Sequence, residues 1–231
     1  FCTLHFVLCT DGGFVYSTWQ RLLLTLYAVV LSGWFRLGKV PLSKLANLTR
    51  PGLPPTLHGL GDLRDFAQWW EQHTEWRADP FNGAFDIFPS LPHAEWQWAR
   101  GGAFRDDCDG LAYLAANQIK PFADAANDVF VVTVITDPFS WGRQGLLMAP
   151  HVICLFRRAG HWQMVSNSLL FADTWLDFEE ALQENPYAYG HPLLFYEVRD
   201  ANLRFVRSKR FPTPKVKSAV REILPPGVGH F

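Results

Sequence analysis

Cys108 is the side chain with the clearest chemical setting. It lies in Arg105-Asp106-Asp107-Cys108-Asp109-Gly110-Leu111-Ala112-Tyr113-Leu114-Ala115-Ala116-Asn117-Gln118. Cys108, Leu111, Ala112, Ala115 and Ile119 share one face at helical spacing, so a helix is predicted from Cys108 onward. Asp106 or Asp107 would cap it, and Lys120-Pro121 would end it. A cysteine on the first turn meets unpaired N–H groups and the positive helix end, which favour thiolate, the nucleophilic form. Asp106, Asp107 and Asp109 oppose that effect, so a cationic partner such as imidazolium is needed. The plainer reading is a buried structural cysteine.

The partner is sought among eight histidines. His151 opens the strand-like stretch His151–Phe156, and a second stretch runs from Trp162 to Ser166. A three-residue loop, Arg158-Ala159-Gly160, would set Arg157 against His161 and His151 against Asn167. Opposed residues share a face, so the Asn167 amide would fix the ring's orientation and tautomer. A four-residue loop would oppose His151 to Ser166 instead. Taken singly, His151 reads as a strand-end histidine and Asn167 as a turn residue. Asp173 is the alternative third member, or the N-cap of the next helix, and His161 is expected to face solvent.

These residues must be positioned by the elements around them. Asp62 would cap a helix reaching about Arg77, with Leu63, Phe66, Trp69, Trp70 and His73 on one side. A loop over Ala78–Pro92 precedes a short helix with Glu95, Trp96 and Trp98. Val129–Thr136 is a β-branched run, hence a buried strand. Asp137–Pro150 reads as a loop, Thr174–Glu184 as a helix, and Leu193–Val206 as a hairpin turning at Asp200-Ala201-Asn202. Helices first and strands later is the α+β pattern.

Composition divides the chain into three parts. Residues 1–61 carry one acid against five bases; 62–206 carry 20 acids against 10 bases; 207–231 carry one acid against six bases. The expected organisation is an apolar, basic N-terminal segment with a Pro/Gly-rich strap (Val40–Gly61), a central domain over 62–206, and a basic tail over 207–231. The apolar run Leu22–Phe35 falls short of the ~20 residues that span a bilayer. It reads as a signal-peptide core, a short anchor, an interfacial helix or a buried helix, with membrane-surface contact possible. No specific nucleic-acid binding is expected, and the compartment, cytoplasmic or membrane-associated, is open.

Cys2, Cys9, Cys108 and Cys154 form no disulfide framework. Cys2-x2-His5-x3-Cys9 is at most half a zinc site, and Asp107, Asp109 and Gly110 lack the other ligands of a calcium loop. Neither a metal nor a cofactor is expected.

The set Asp107-Cys108-Asp109-Gly110-Leu111-Ala112, His151-Val152-Ile153 and Trp162-Gln163-Met164-Val165-Ser166-Asn167 resembles the transglutaminase-like branch of the papain-like cysteine enzymes, including the bacterial transglutaminase-like cysteine proteinases. The similarity covers roughly residues 62–206. It implies a helix bearing the catalytic cysteine, packed on an antiparallel sheet that carries His and Asn. The family's usual glycine before Asp-Cys is Asp106 here, and its commoner third member, Asp, is Asn. The activity implied is acyl transfer from amide bonds of a peptide or protein by a Cys108-His151-Asn167 triad. Hydrolysis is the first choice and transfer to an amine the runner-up. The Cys108 N–H would supply part of an oxyanion hole, with Gln97, Trp96 or Trp98 as the second donor. The rival is a catalytically silent binding module on the same fold.

Overall fold

A computed structural model describes residues 18–48, 60–78, 88–89, 91–144, 149–184, 188 and 190–211. Helix α1 (Thr18–Trp34) passes through a π-helical turn (Phe35–Lys39) into α2 (Val40–Leu48). Val40–Leu48 is therefore helical and not extended strap. Pro41 lies just after the π-helical turn, the kind of ladder irregularity that accompanies a residue with no N–H to donate. The Leu22–Phe35 run is part of a longer continuous helix, Trp19–Ser43, whose 25 residues are long and apolar enough to cross a bilayer.

Helix α3 (Leu63–His73) starts where Asp62 was expected to cap it; its carboxylate accepts from the Arg64 and Asp65 N–H groups. It stops four residues before Arg77, because Thr74–Trp76 becomes β1, which pairs in parallel with β2 (Phe104–Asp106). Phe66 and Trp70 are fully buried. Helix α4 (Leu91–Ala99) and α5 (Cys108–Gln118) complete this layer.

The sheet contains β3 (Val129–Thr136), β4 (Pro150–Arg158), β5 (His161–Ser166), β6 (Leu169–Leu170), β7 (Leu193–Asp200) and β8 (Phe205–Arg210). Their order is β6-β5-β4-β3-β7-β8, with every neighbouring pair antiparallel. The last strand extends past Val206. Helix α6 (Phe178–Glu184) follows β6. The fold is α+β, a helical layer against an antiparallel sheet.

Strand pleating sorts the core into two clusters. Val129, Val131, Val152, Cys154, Phe156 and Val165 pack with α5 and α3. Val132, Val134, Ile153, Leu155, Met164 and Val198 pack with α6. Both faces are covered, which explains why Val129–Thr136 reads as a nearly unbroken apolar run.

The hairpin between β4 and β5 departs from the expected loop. Its register pairs Arg158 with His161, leaving a two-residue turn, Ala159-Gly160. Both residues have positive φ, 50° and 80°, the signature of a type I′ turn. The Asp124 carboxylate accepts from both turn N–H groups, at 2.7 and 2.9 Å. Those two bonds hold its pKa below the usual carboxylate value.

Candidate functional site

Asp107 caps α5 by accepting from the Asp109 N–H. Cys108 is therefore the first helical residue, half-buried, as its spacing predicted. At the other end of α5 the chain turns so that the Asp124 N–H reaches the Arg157 carbonyl, near the end of β4. The start of α5 accordingly lies toward the start of β4, where His151 sits.

Asp109, next to Cys108, is buried and ion-paired with the buried Lys39 from the N-terminal helices. With Asp107 engaged as a cap and Asp109 with Lys39, these carboxylates are committed to the fold and do not form an open cation loop. Gly110 is needed for a local reason: a methyl there would overlap the Asp106 carboxylate. Asp106 stands where the resembled family has glycine, and the compensating glycine appears four positions later.

His151 is buried and shares a 2.8 Å hydrogen bond, through Nε2, with Ser166 Oγ. This corrects the expected pairing with Asn167. The two-residue turn shifts the register by one, and a one-residue slip exchanges sheet faces. Carried back, that register points His151 toward Ser168, and Ser166 becomes its same-face diagonal neighbour. Val152 and Val165 face α5, so continued alternation places His151 and Ser166 with Ile153, Leu155 and Met164 on the α6 side. Burial pushes the imidazole pKa down to about 3, so the ring is neutral at pH 7. A neutral ring, and not the expected imidazolium, stands at this position.

Asn167 occupies the first position of the tight turn between β5 and β6, with φ 52°. Its carbonyl accepts from the Trp70 indole at 3.0 Å, tying α3 to the turn. Its side-chain Oδ1 is buried without a hydrogen-bond partner. The turn role is what this residue type favours on its own.

Asp173 is exposed in the segment before α6. It does not cap that helix: Asp177 does, accepting from Glu179 and Glu180. The helix starts late because Trp175 exchanges two backbone bonds with Trp162 and extends the sheet edge. Among the oxyanion candidates, the Trp98 indole N–H is committed to the His73 carbonyl at 2.8 Å. Trp96 is exposed, stacked on His93 with Arg100 over its ring. The Gln97 amide nitrogen lies 3.1 Å from His93 Nε2. His161 is exposed, as expected.

The Cys154 thiol is fully buried, and burial raises its pKa well above normal. The Cys2, His5 and Cys9 cluster lies outside the described residues. Among the described residues, no group of three or more His, Cys, Asp or Glu is arranged to hold a metal.

Two contributors were missed from sequence. Lys39 reaches the site across 70 positions of chain, and nothing local marks it. Trp70, placed by its spacing on one side of α3, is fully buried, and its indole N–H has the second task of fixing the Asn167 turn.

No known protein family profile matches the chain, and no curated protein does. Among solved structures, the chain is similar to Legionella pneumophila LapG (EGTA-treated) at 11% identity, over 80% of this chain and 83% of that one, with a TM-score of 0.35. A likeness this loose carries no weight on activity.

Proposed function

We propose that the chain is a thiol-dependent acyl-transfer enzyme acting on amide bonds of a peptide or protein, with Cys108 as nucleophile and His151 as base. What supports this is a half-buried cysteine on the capped first turn of α5, the helix that packs against Val152 and Cys154 of β4, the strand whose second residue is His151. Cys108 Sγ attacks the amide carbon while its proton passes to the neutral imidazole. The Cys108 N–H, at the positive end of the α5 dipole, serves the developing oxyanion. The C–N bond breaks, the imidazolium returns the proton to the leaving amine, and a thioester remains on Cys108. Water then releases the acid in a peptidase; an amine would take the acyl group in a transferase. Ser166 replaces Asn167 as the group orienting the ring. It donates or accepts a neutral hydrogen bond and stabilises an imidazolium less than a carboxylate does.

The pathway requires the ring to meet the sulfur around the end of β4, because the pleat carries His151 on the α6 side. That same observation favours a second reading, a silent module in which a neutral His151 and Ser166 form a buried structural pair.

Acid quenching of the full chain mixed with an unfolded protein separates the two. The enzyme gives a thioester on Cys108 by mass spectrometry, with new amino termini in the substrate, and Cys108→Ala abolishes both. Absence of any adduct and of any cleavage would leave the binding module.

A further inference from the structure

We propose that the N-terminal helix seats this protein on an anionic membrane surface, lying in the plane of the interface. Trp19, Leu22, Leu23, Leu26, Val30 and Trp34 are all exposed, at 38–65% of their full surface. Their spacing places them on one side of the helix. The opposite side is filled: Leu24 packs on Leu194, and Ala28 on Ile135 and Phe195. A helix of about 37 Å thus has one apolar face on the sheet and a second facing outward.

Charge identifies the occupant. Residues 18–48 contain no acid, and Arg21 is exposed there; Lys39 and Arg36 are paired with Asp109 and Glu197. Arg36 lies over the Phe205 ring at the edge strand β8, which carries Arg207 and Arg210 beside Lys209, itself paired with Glu179. Phe205 is itself 51% exposed. An apolar stripe with tryptophan at both ends and bases alongside matches the acyl boundary and phosphates of an anionic leaflet. A protein partner would not require so uniform a charge.

The helix lies on the bilayer and does not cross it. Crossing would break the Leu24 and Ala28 packing, the 2.5 Å Arg36–Glu197 ion pair, and the buried Lys39–Asp109 pair. Gly38 contributes close packing at this end, since the Trp34 ring lies where a side chain would stand.

The test is co-sedimentation of the full chain with phosphatidylcholine vesicles, with and without phosphatidylglycerol. Binding is expected to the anionic vesicles, to weaken in high salt, and to fall about tenfold or more in Leu26→Gln/Val30→Gln. Arg21→Gln/Arg210→Gln should weaken binding while leaving the stripe intact, and circular dichroism checks that both variants are folded. Equal binding to neutral vesicles would overturn the anionic-surface assignment. A wild-type chain that ignores both vesicles, or a dimer in light scattering that Leu26→Gln/Val30→Gln dissolves, would overturn the membrane proposal as a whole.

Discussion

The His151 ring is held by the hydroxyl of Ser166, 2.8 Å from Nε2, with both side chains buried. Removing the hydroxyl leaves a buried ring nitrogen without this partner. Ser166→Ala should cost about 1–3 kcal/mol of stability, read from chemical denaturation. Ser166→Asp places a carboxylate against the ring and should raise the His151 pKa from about 3 toward neutrality, followed by NMR of the imidazole.

The lowered His151 pKa also makes a stability statement. The unfolded ring titrates near 6.5, so between about 6.5 and 3 the unfolded chain binds a proton that the folded chain does not. Stability must therefore fall as pH drops through this window, by up to about 1.4 kcal/mol per pH unit from this group. His151→Gln removes that dependence. Melting curves from pH 7 to pH 4 should show the wild type losing ground to the variant as acid is added.

Lys39 and Asp109 form a buried pair beside Cys108. Lys39→Met leaves the Asp109 carboxylate buried and uncompensated, at a cost of about 3–5 kcal/mol. Lys39→Met/Asp109→Leu should recover much of that loss in the same denaturation assay, because no charge is then stranded.

Ala159 holds a left-handed conformation, φ 50°, in the turn that sets the register of β4 and β5. Left-handed backbone costs roughly 1–2 kcal/mol in an L-residue such as alanine, and less in Asn. Ala159→Asn should raise the melting temperature without changing the register, which the persistence of the Arg158–His161 pairing in NMR would show.

The ease of reading each element follows from where its determinants lie. The helix at Cys108 and the Asp62 cap were legible because periodicity and capping chemistry are local. So was the strand Val129–Thr136, since burial on both faces demands an apolar run. The hairpin register was not, because alanine seldom takes a left-handed turn position and its support, Asp124, lies 35 positions away. That one-residue error set His151 opposite Asn167, whereas the observed register carries it toward Ser168, with Ser166 as its diagonal partner. The start of α6 was misplaced for a similar reason: the Trp162–Trp175 bridge is a pairing between distant residues. The helix over Val40–Leu48 was hidden by the prolines and glycines that follow it. For the site, the cysteine and its setting were legible, but the sheet face of the histidine depended on that register.

The central claim is that Cys108 is activated by His151. Alkylation kinetics with iodoacetamide, resolved for each cysteine by peptide mapping, address it directly, with the core-buried Cys154 as internal reference. The account predicts that Cys108 reacts much faster than Cys154 at neutral pH and that His151→Ala slows Cys108 while the chain stays folded. A Cys108 rate unchanged by His151→Ala, or no greater than that of Cys154, would contradict it.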